Sequence, residues 1–166
     1  MMIGSIIVSY NPDIDLLKEN LNSIVKQVDK VLVVDNGSQN IAFIKKIVNE
    51  AGSSILQLHS NMGIAVALNS GMSYFQNLHY DWIMTLDQDS IAPKNLIKQL
   101  TSVNEFKEKN VGIIAADFID RTQGETITTR SGVVEYSKRV ITSGSLTNVE
   151  VWKQVCGFDN QLFNYQ

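Results

Sequence analysis

The chain has 166 residues and a formal net charge of −3, with 44% hydrophobic and 19% charged residues. That balance belongs to a globular protein of one ordinary domain and excludes a disordered or collagen-like chain. The single cysteine, Cys156, excludes an internal disulfide framework and a cysteine-built zinc site, and is read as a small core residue. Two histidines, His59 and His79, lack metal-ligand spacing and receive no role. The mild acidity gives no electrostatic footprint for nucleic acid.

Nowhere do roughly 18 apolar residues run uninterrupted, as a membrane span needs. The segment Met1 to Val8 is short, lacks a basic leader and reads as a first strand, not a signal peptide. The expected location is the cytoplasm, with peripheral contact at the inner face of a membrane left open. Asn11-Pro12 then reads as a cap with proline at the first helical position. The apolar residues Ile14, Leu17, Leu21, Ile24, Val25 and Val28 follow at helical spacing.

Val31 to Val34 is a β-branched strand that stops at the turn formers Asp35-Asn36-Gly37-Ser38. Ile41, Ile44, Ile47, Val48 and Ala51 mark a second helix, and Ile55 to Leu58 a third strand. Ile64, Ala67, Leu68, Gly71, Met72 and Phe75 mark a helix after the loop Asn61-Met62-Gly63. Trp82 to Leu86 is a fourth strand ending in Asp87-Gln88-Asp89; Pro93 opens a helix with Leu96, Ile97 and Leu100 inward; Val111 to Ala116 is a fifth strand.

After Asp117 the pattern changes. Thr126 to Val134 and Lys138 to Ser143 read as short strands, and Asn148 as the cap of a last helix, Val149 to Val155, stopped by Gly157. Continuously apolar strands alternating with helices predict a mostly parallel sheet covered on both faces, a three-layer α/β/α sandwich. Residues 1–117 form its regular half and 118–166 a smaller remainder of the same domain.

Three polar clusters follow predicted strands: Ser9-Tyr10-Asn11, Asp35-Asn36-Gly37-Ser38 and Asp87-Gln88-Asp89. In parallel sheets ligands collect at the carboxyl ends of strands, so the three are expected at one edge. Asp35 suits a base or ribose as acceptor, although its cluster taken alone reads first as a turn. Asp87 and Asp89 repel each other near buried surface. A hard divalent cation, Mg²⁺ or Mn²⁺, relieves that repulsion and bridges to phosphate oxygens; the other reading of this Asp-x-Asp is a solvated turn. Gly63 lets backbone approach a ligand at a helix N-terminus, Ala67 and Gly71 make a flat packing strip, and Asn69 is placed to reach toward a nucleotide. There is no Gly-Lys-Ser/Thr of a P-loop, no Gly-x-Gly-x-x-Gly dinucleotide fingerprint and no Gly-x-Ser-x-Gly elbow.

In order along the chain stand Ile7-Val8-Ser9-Tyr10-Asn11, Val33-Val34-Asp35-Asn36-Gly37-Ser38 and Asn61-x-Gly63-x-Ala65-x-Ala67-x-Asn69-x-Gly71. Leu86-Asp87-Gln88-Asp89, Thr142-Ser143-Gly144-Ser145-Leu146 and Gly157-Phe158-Asp159-x-x-Leu162-Phe163 follow. This series resembles the family 2 glycosyltransferases of GT-A fold, most closely the bacterial rhamnosyltransferase group, over essentially the whole chain. The resemblance implies transfer of a sugar, with inversion, from a nucleotide-diphosphate donor (a dTDP- or UDP-sugar) to a saccharide or lipid-linked acceptor in cell-surface polysaccharide synthesis. It implies that Ser9, Tyr10 and Asn11 line the nucleotide pocket with Asp35 and Asn36 at the base. Asn61, Gly63 and Asn69 stand beside the nucleotide. Asp87 and Gln88 face the ribose or sugar, Asp89 holds the metal together with Asp87, and Ser143, Gly144 and Ser145 lie near the donor sugar and acceptor.

The family's general base belongs to an acidic motif shortly after Gly-Phe-Asp…Leu-Phe. Here no Asp or Glu follows Asp159, so the base is expected beyond Gln166 and none is assigned. The alternative is therefore a nucleotide-sugar-binding fragment without turnover. A nucleotidyltransferase ranks last, because the loop after the first strand, Ser9 to Asp13, has no glycine and no basic residue. Oligomeric state is open; apolar residues near Trp152, Phe158 and Phe163 are the surface expected to favour self-association.

Overall fold

The computed structural model describes residues 1–108, 110–116, 134–137 and 140–161. Its strands are β1 (Ile3–Ser9), β2 (Lys30–Asp35), β3 (Ser54–Gln57), β4 (Trp82–Asp87), β5 (Ile113–Ala115) and β6 (Ser145–Asn148). Its α-helices are α1 (Ile14–Ile24), α2 (Ile41–Glu50), α3 (Ile64–Asn77), α4 (Leu96–Leu100) and α5 (Val149–Gln154). The strands form one sheet in the order β3-β2-β1-β4-β6-β5. β3, β2, β1 and β4 are mutually parallel, and β6 runs antiparallel to both of its neighbours, β4 and β5.

The period-2 alternation of β1 divides the core into two layers. Ile3 and Ile7 face α1, α2 and α4 in one cluster; Ile6 and Val8 face α3 in the other, with Val149 of α5. The chain steps from β1 outward to β3 and then returns across the sheet to β4. Right-handed crossovers in opposite directions lay their helices on opposite faces, hence α1 and α2 on one side and α3 on the other. The return makes the space between β1 and β4 a topological switch point, where the carboxyl ends splay into a crevice.

Close approach of α3 to the sheet depends on Gly71, where an added Cβ would stand 2.7 Å from Ile6 Cδ1. Ala67 beside it is fully buried, so the strip of small residues does pack on the sheet.

Several sequence expectations need correction. Asn11-Pro12 does not start α1. Asp13 is the cap, accepting from Asp15 N (2.9 Å) and Leu16 N (3.1 Å). Asn11 has φ +46, and its side chain is drawn away to accept from Gln39 N in the next loop. Pro93 is followed by a left-handed Asn95, φ +67, so α4 starts only at Leu96, with Leu96, Ile97 and Leu100 buried as expected.

Residues 140–143 carry no strand. The strand starts at Ser145, where the buried hydroxyls of Ser145 and Thr147 replace the apolar run that signals strands elsewhere. Cys156 is exposed, not in the core, because it takes the left-handed turn after α5 at φ +64. Trp152 and Phe158, expected as exposed apolar surface, pack against the α3-side core. Of the strand expected over Thr126 to Val134 only Val134 is described, and it carries no strand; its other residues, the boundary at Asp117, and Leu162 and Phe163 lie outside the described residues.

Candidate functional site

The parallel register brings the three polar clusters to one edge. Ser9 pairs with Asp35 across β1–β2, and Val8 with Asp87 across β1–β4. Ser9 and Asp35 are both fully buried. One Asp35 carboxyl oxygen accepts from Ser38 N at 3.2 Å. The other, Oδ1, and Ser9 Oγ have no partner among the described residues. A buried oxygen left without a hydrogen bond carries a desolvation cost, and a ligand donor entering the crevice removes it.

The neighbouring loops are cross-tied. Asn36 Nδ2 donates to Asn61 Oδ1 (2.9 Å), which also accepts from Gly63 N (3.0 Å), while Asn36 Oδ1 accepts from Met62 N (2.9 Å). Asn36 and Asn61 thus hold the β2–α2 and β3–α3 loops together. Gly63, φ +83, caps α3 without a side chain. Tyr10 and Asn11 are exposed on the rim; Tyr10 N donates to Gln88 Oε1 (2.8 Å) and Asn11 N to Ser38 Oγ (2.8 Å).

On the β4 side, Asp87 is half-buried and Asp89 exposed. Burial first, and the Asp89 charge second, push the Asp87 carboxyl above its ordinary value. The Asp87 main chain is held on both sides: its N donates to Ser143 Oγ (3.0 Å), and its O accepts from Asn20 Nδ2 (2.5 Å) and Ser90 N (3.1 Å). Ser143 Oγ also shares a hydrogen bond with Ser90 Oγ at 2.7 Å. Gly144 N donates to Thr85 O (2.8 Å), the buried Ser145 hydroxyl to Ile141 O, and Thr85 Oγ1 to Thr142 O, so the 142–145 strip is locked against β4.

Two crowded carboxylates are hard oxygen donors that suit Mg²⁺ or Mn²⁺. Among the described residues no group of three His, Cys, Asp or Glu gathers. The pair therefore fits a cation that completes its shell with phosphate and water, not one caged by protein.

Asn69 is taken up by the loop after α5. Its Oδ1 accepts from Trp152 Nε1 (3.2 Å) and Phe158 N (2.9 Å), and its Nδ2 donates to Phe158 O (2.8 Å) and Asn160 Oδ1 (2.7 Å). Both ends of the amide are spent on the loop after α5. Sequence reasoning passed over Asn20. Its signal was a polar residue inside the apolar stripe of Leu17, Leu21 and Ile24, where it is fully buried.

A cavity of roughly 620 Å³ lies at the other end of β4, between Gln76, His79, Asp81, Trp82, Asn148 and Lys153. It shares no residue with the three clusters.

The family model for glycosyl transferase family 2 matches residues 5–158. The chain belongs to this family. It is 29% identical over 97% of its length to the dTDP-rhamnosyl transferase RfbF of Shigella flexneri, and spans 58% of that protein. S. aureus TarS (residues 1–349, in complex with UDP) matches with TM-score 0.67 at 18% identity, over 98% of this chain and 51% of TarS. Glucosyl-3-phosphoglycerate synthase of Mycobacterium tuberculosis, crystallised with Mn²⁺, UDP and glucosyl-3-phosphoglycerate, matches with TM-score 0.53 at 16% identity, over 69% of this chain and 43% of the synthase. These neighbours confirm the GT-A fold. The chain thus spans about half the length of the relatives it matches. Among the described residues no helix is long and apolar enough to cross a membrane.

Proposed function

We propose that this family 2 chain holds a nucleoside-diphosphate sugar in the crevice between β1, β2 and β4, as the donor-binding part of an inverting sugar transferase. The observation that carries the reading is the pair of buried oxygens with no partner among the described residues, Ser9 Oγ and Asp35 Oδ1, at the carboxyl ends of β1 and β2, on the same sheet edge as the Asp87–Asp89 pair after β4.

Asp35 Oδ1 accepts a donor proton from the base, as the imide N–H of uracil or thymine offers, and Ser9 Oγ supplies a second polar contact. Asn36, Asn61 and Gly63 form the wall along the nucleotide, with Tyr10 and Asn11 on the rim. Asp87 and Asp89 hold Mg²⁺ or Mn²⁺, which when bound neutralises charge on the leaving diphosphate. Gln88, tied to Tyr10 N, links this turn to the base-side loop. The strip Ser143-Gly144-Ser145 stands next to Asp87, facing the transferred sugar and the incoming hydroxyl. No residue is assigned as the base that deprotonates the acceptor.

Likeness to a dTDP-rhamnosyl transferase supports a dTDP-sugar, rhamnose first, and a saccharide or lipid-linked acceptor in surface polysaccharide assembly. Thermal unfolding with Mn²⁺ and either dTDP or UDP tests the reading. At about 100 times Kd a ligand stabilises by about 2.7 kcal/mol, a rise of roughly 5–10 °C for a chain of this length. Asp35→Ala lowers nucleotide affinity by roughly 10- to 100-fold, the usual value of a hydrogen bond to a charged group. No shift with either nucleotide refutes the donor site.

A further inference from the structure

We infer that Asn20 is a positioning residue whose buried amide holds the Asp87–Asp89 turn in the conformation that takes a divalent cation with the donor's diphosphate. The inference rests on the donor-site reading above.

Asn20 lies in the middle of α1, and like Leu17, Leu21 and Ile24 around it is fully buried. Its Nδ2 reaches the Asp87 carbonyl at 2.5 Å. Its Oδ1 is buried with no partner among the described residues. An amide with an idle acceptor inside an apolar layer detracts from stability, so folding alone favours a leucine at this position. Nor does the Asp87 carbonyl need Asn20 for its satisfaction, because Ser90 N already donates to it at 3.1 Å.

What the Asn20 bond adds is direction. It orients the peptide group after Asp87, while Ser143 Oγ, bonded to Asp87 N at 3.0 Å, orients the one before it. With both flanking peptides pinned, the Asp87 Cα–Cβ bond is aimed, and its carboxyl is kept near Asp89 despite their mutual repulsion. A turn free to relax separates the two charges. Groups that orient metal ligands without touching the metal typically carry a 10- to 100-fold share of its affinity.

The test is Asn20→Leu in the whole chain, read by calorimetry of Mn²⁺ binding in the presence of dTDP or UDP, by nucleotide binding without metal, and by Tm. The expected result is a Tm equal to or above that of the unaltered chain, Mn²⁺ affinity lower by about tenfold or more, and metal-free nucleotide affinity unchanged. A purely structural asparagine gives the reverse, a lower Tm with Mn²⁺ affinity intact, and that result overturns the inference. Asn20→Ala removes the same donor without added bulk and decides the matter if Asn20→Leu does not fold. Failure of both variants to fold makes Asn20 a core requirement and also overturns it. Absence of metal-dependent nucleotide binding by the unaltered chain refutes the donor site itself, and the inference with it.

Discussion

Asn69→Ala tests how the loop after α5 is attached to the rest of the fold. The side chain makes four hydrogen bonds to residues 152–160, two through each end of its amide. A net bond contributes about 0.5–1.5 kcal/mol, and water reaches part of this surface, so the substitution costs about 2–3 kcal/mol. For a chain of this length that lowers Tm by about 5–10 °C.

The partner position is Gly157, at φ +84, where an added Cβ would meet Asn69 Oδ1 at 2.8 Å. Gly157→Ala adds the left-handed penalty of about 1–2 kcal/mol to that clash. In the Asn69→Ala background the closest obstacle is gone, so the two substitutions together destabilise less than the sum by about 1 kcal/mol. Thermal melts of the four proteins of the cycle, followed by tryptophan fluorescence, give these numbers, because Trp152 Nε1 is one of the donors to Asn69. An Asn69→Ala Tm within about 1 °C of the parent, against the roughly 5–10 °C expected, or strict additivity in the cycle, refutes the clamp.

Gly71→Ala drives a methyl to 2.7 Å from Ile6 Cδ1. The overpacking outweighs the gain in helix propensity and costs a net 1–2 kcal/mol or about that much, and Ile6→Val, which deletes the nearest atom, recovers part of it in a denaturant titration. Asp87→Asn is expected to match or exceed the parent Tm at pH 7 while losing metal-dependent nucleotide binding. The Asp87 carboxyl titrates above the ordinary aspartate value of 3.8 because burial and then Asp89 disfavour its charge. Its contribution to stability is therefore full below about 3.8 and is lost as pH rises through the raised folded value. The Tm advantage of the asparagine variant accordingly grows as pH rises through that raised value and then levels off; a constant difference refutes the assignment. Ser143→Ala, which removes the acceptor for Asp87 N, is expected to weaken Mn²⁺ binding in the same calorimetric assay by roughly tenfold.

Much of the carboxyl edge of the sheet was legible in order. Apolar runs ending in Ser9, Asp35 and Asp87 identified three parallel strands, and strand polarity alone requires their carboxyl ends to share an edge. The irregular half was less legible. β6 is written Ser-Leu-Thr-Asn, and its hydroxyls are buried by pairing with β4 and β5, a fact no local hydrophobic count contains. For Asn69 the position along α3 was legible and the facing was not; the structure bonds its amide to residues 152–160. Asn20 was hidden for the opposite reason, since a single polar residue in an apolar stripe reads as noise until the strand end beneath it is seen.

The amino-acid order by itself determined the alternating strands and helices of the regular half and the carboxylates at the strand ends, because period and turn chemistry are local; the face each helix covers followed only once the strand order was known. Only the tertiary structure decided which polar groups are satisfied by the protein and which remain for a ligand. Hydrogen-bond satisfaction depends on partners separated by as many as 91 positions, as Asn69 and Asn160 are. Ser9 Oγ and Asp35 Oδ1 emerge as unpartnered among the described residues only after the sheet has brought their neighbours into place.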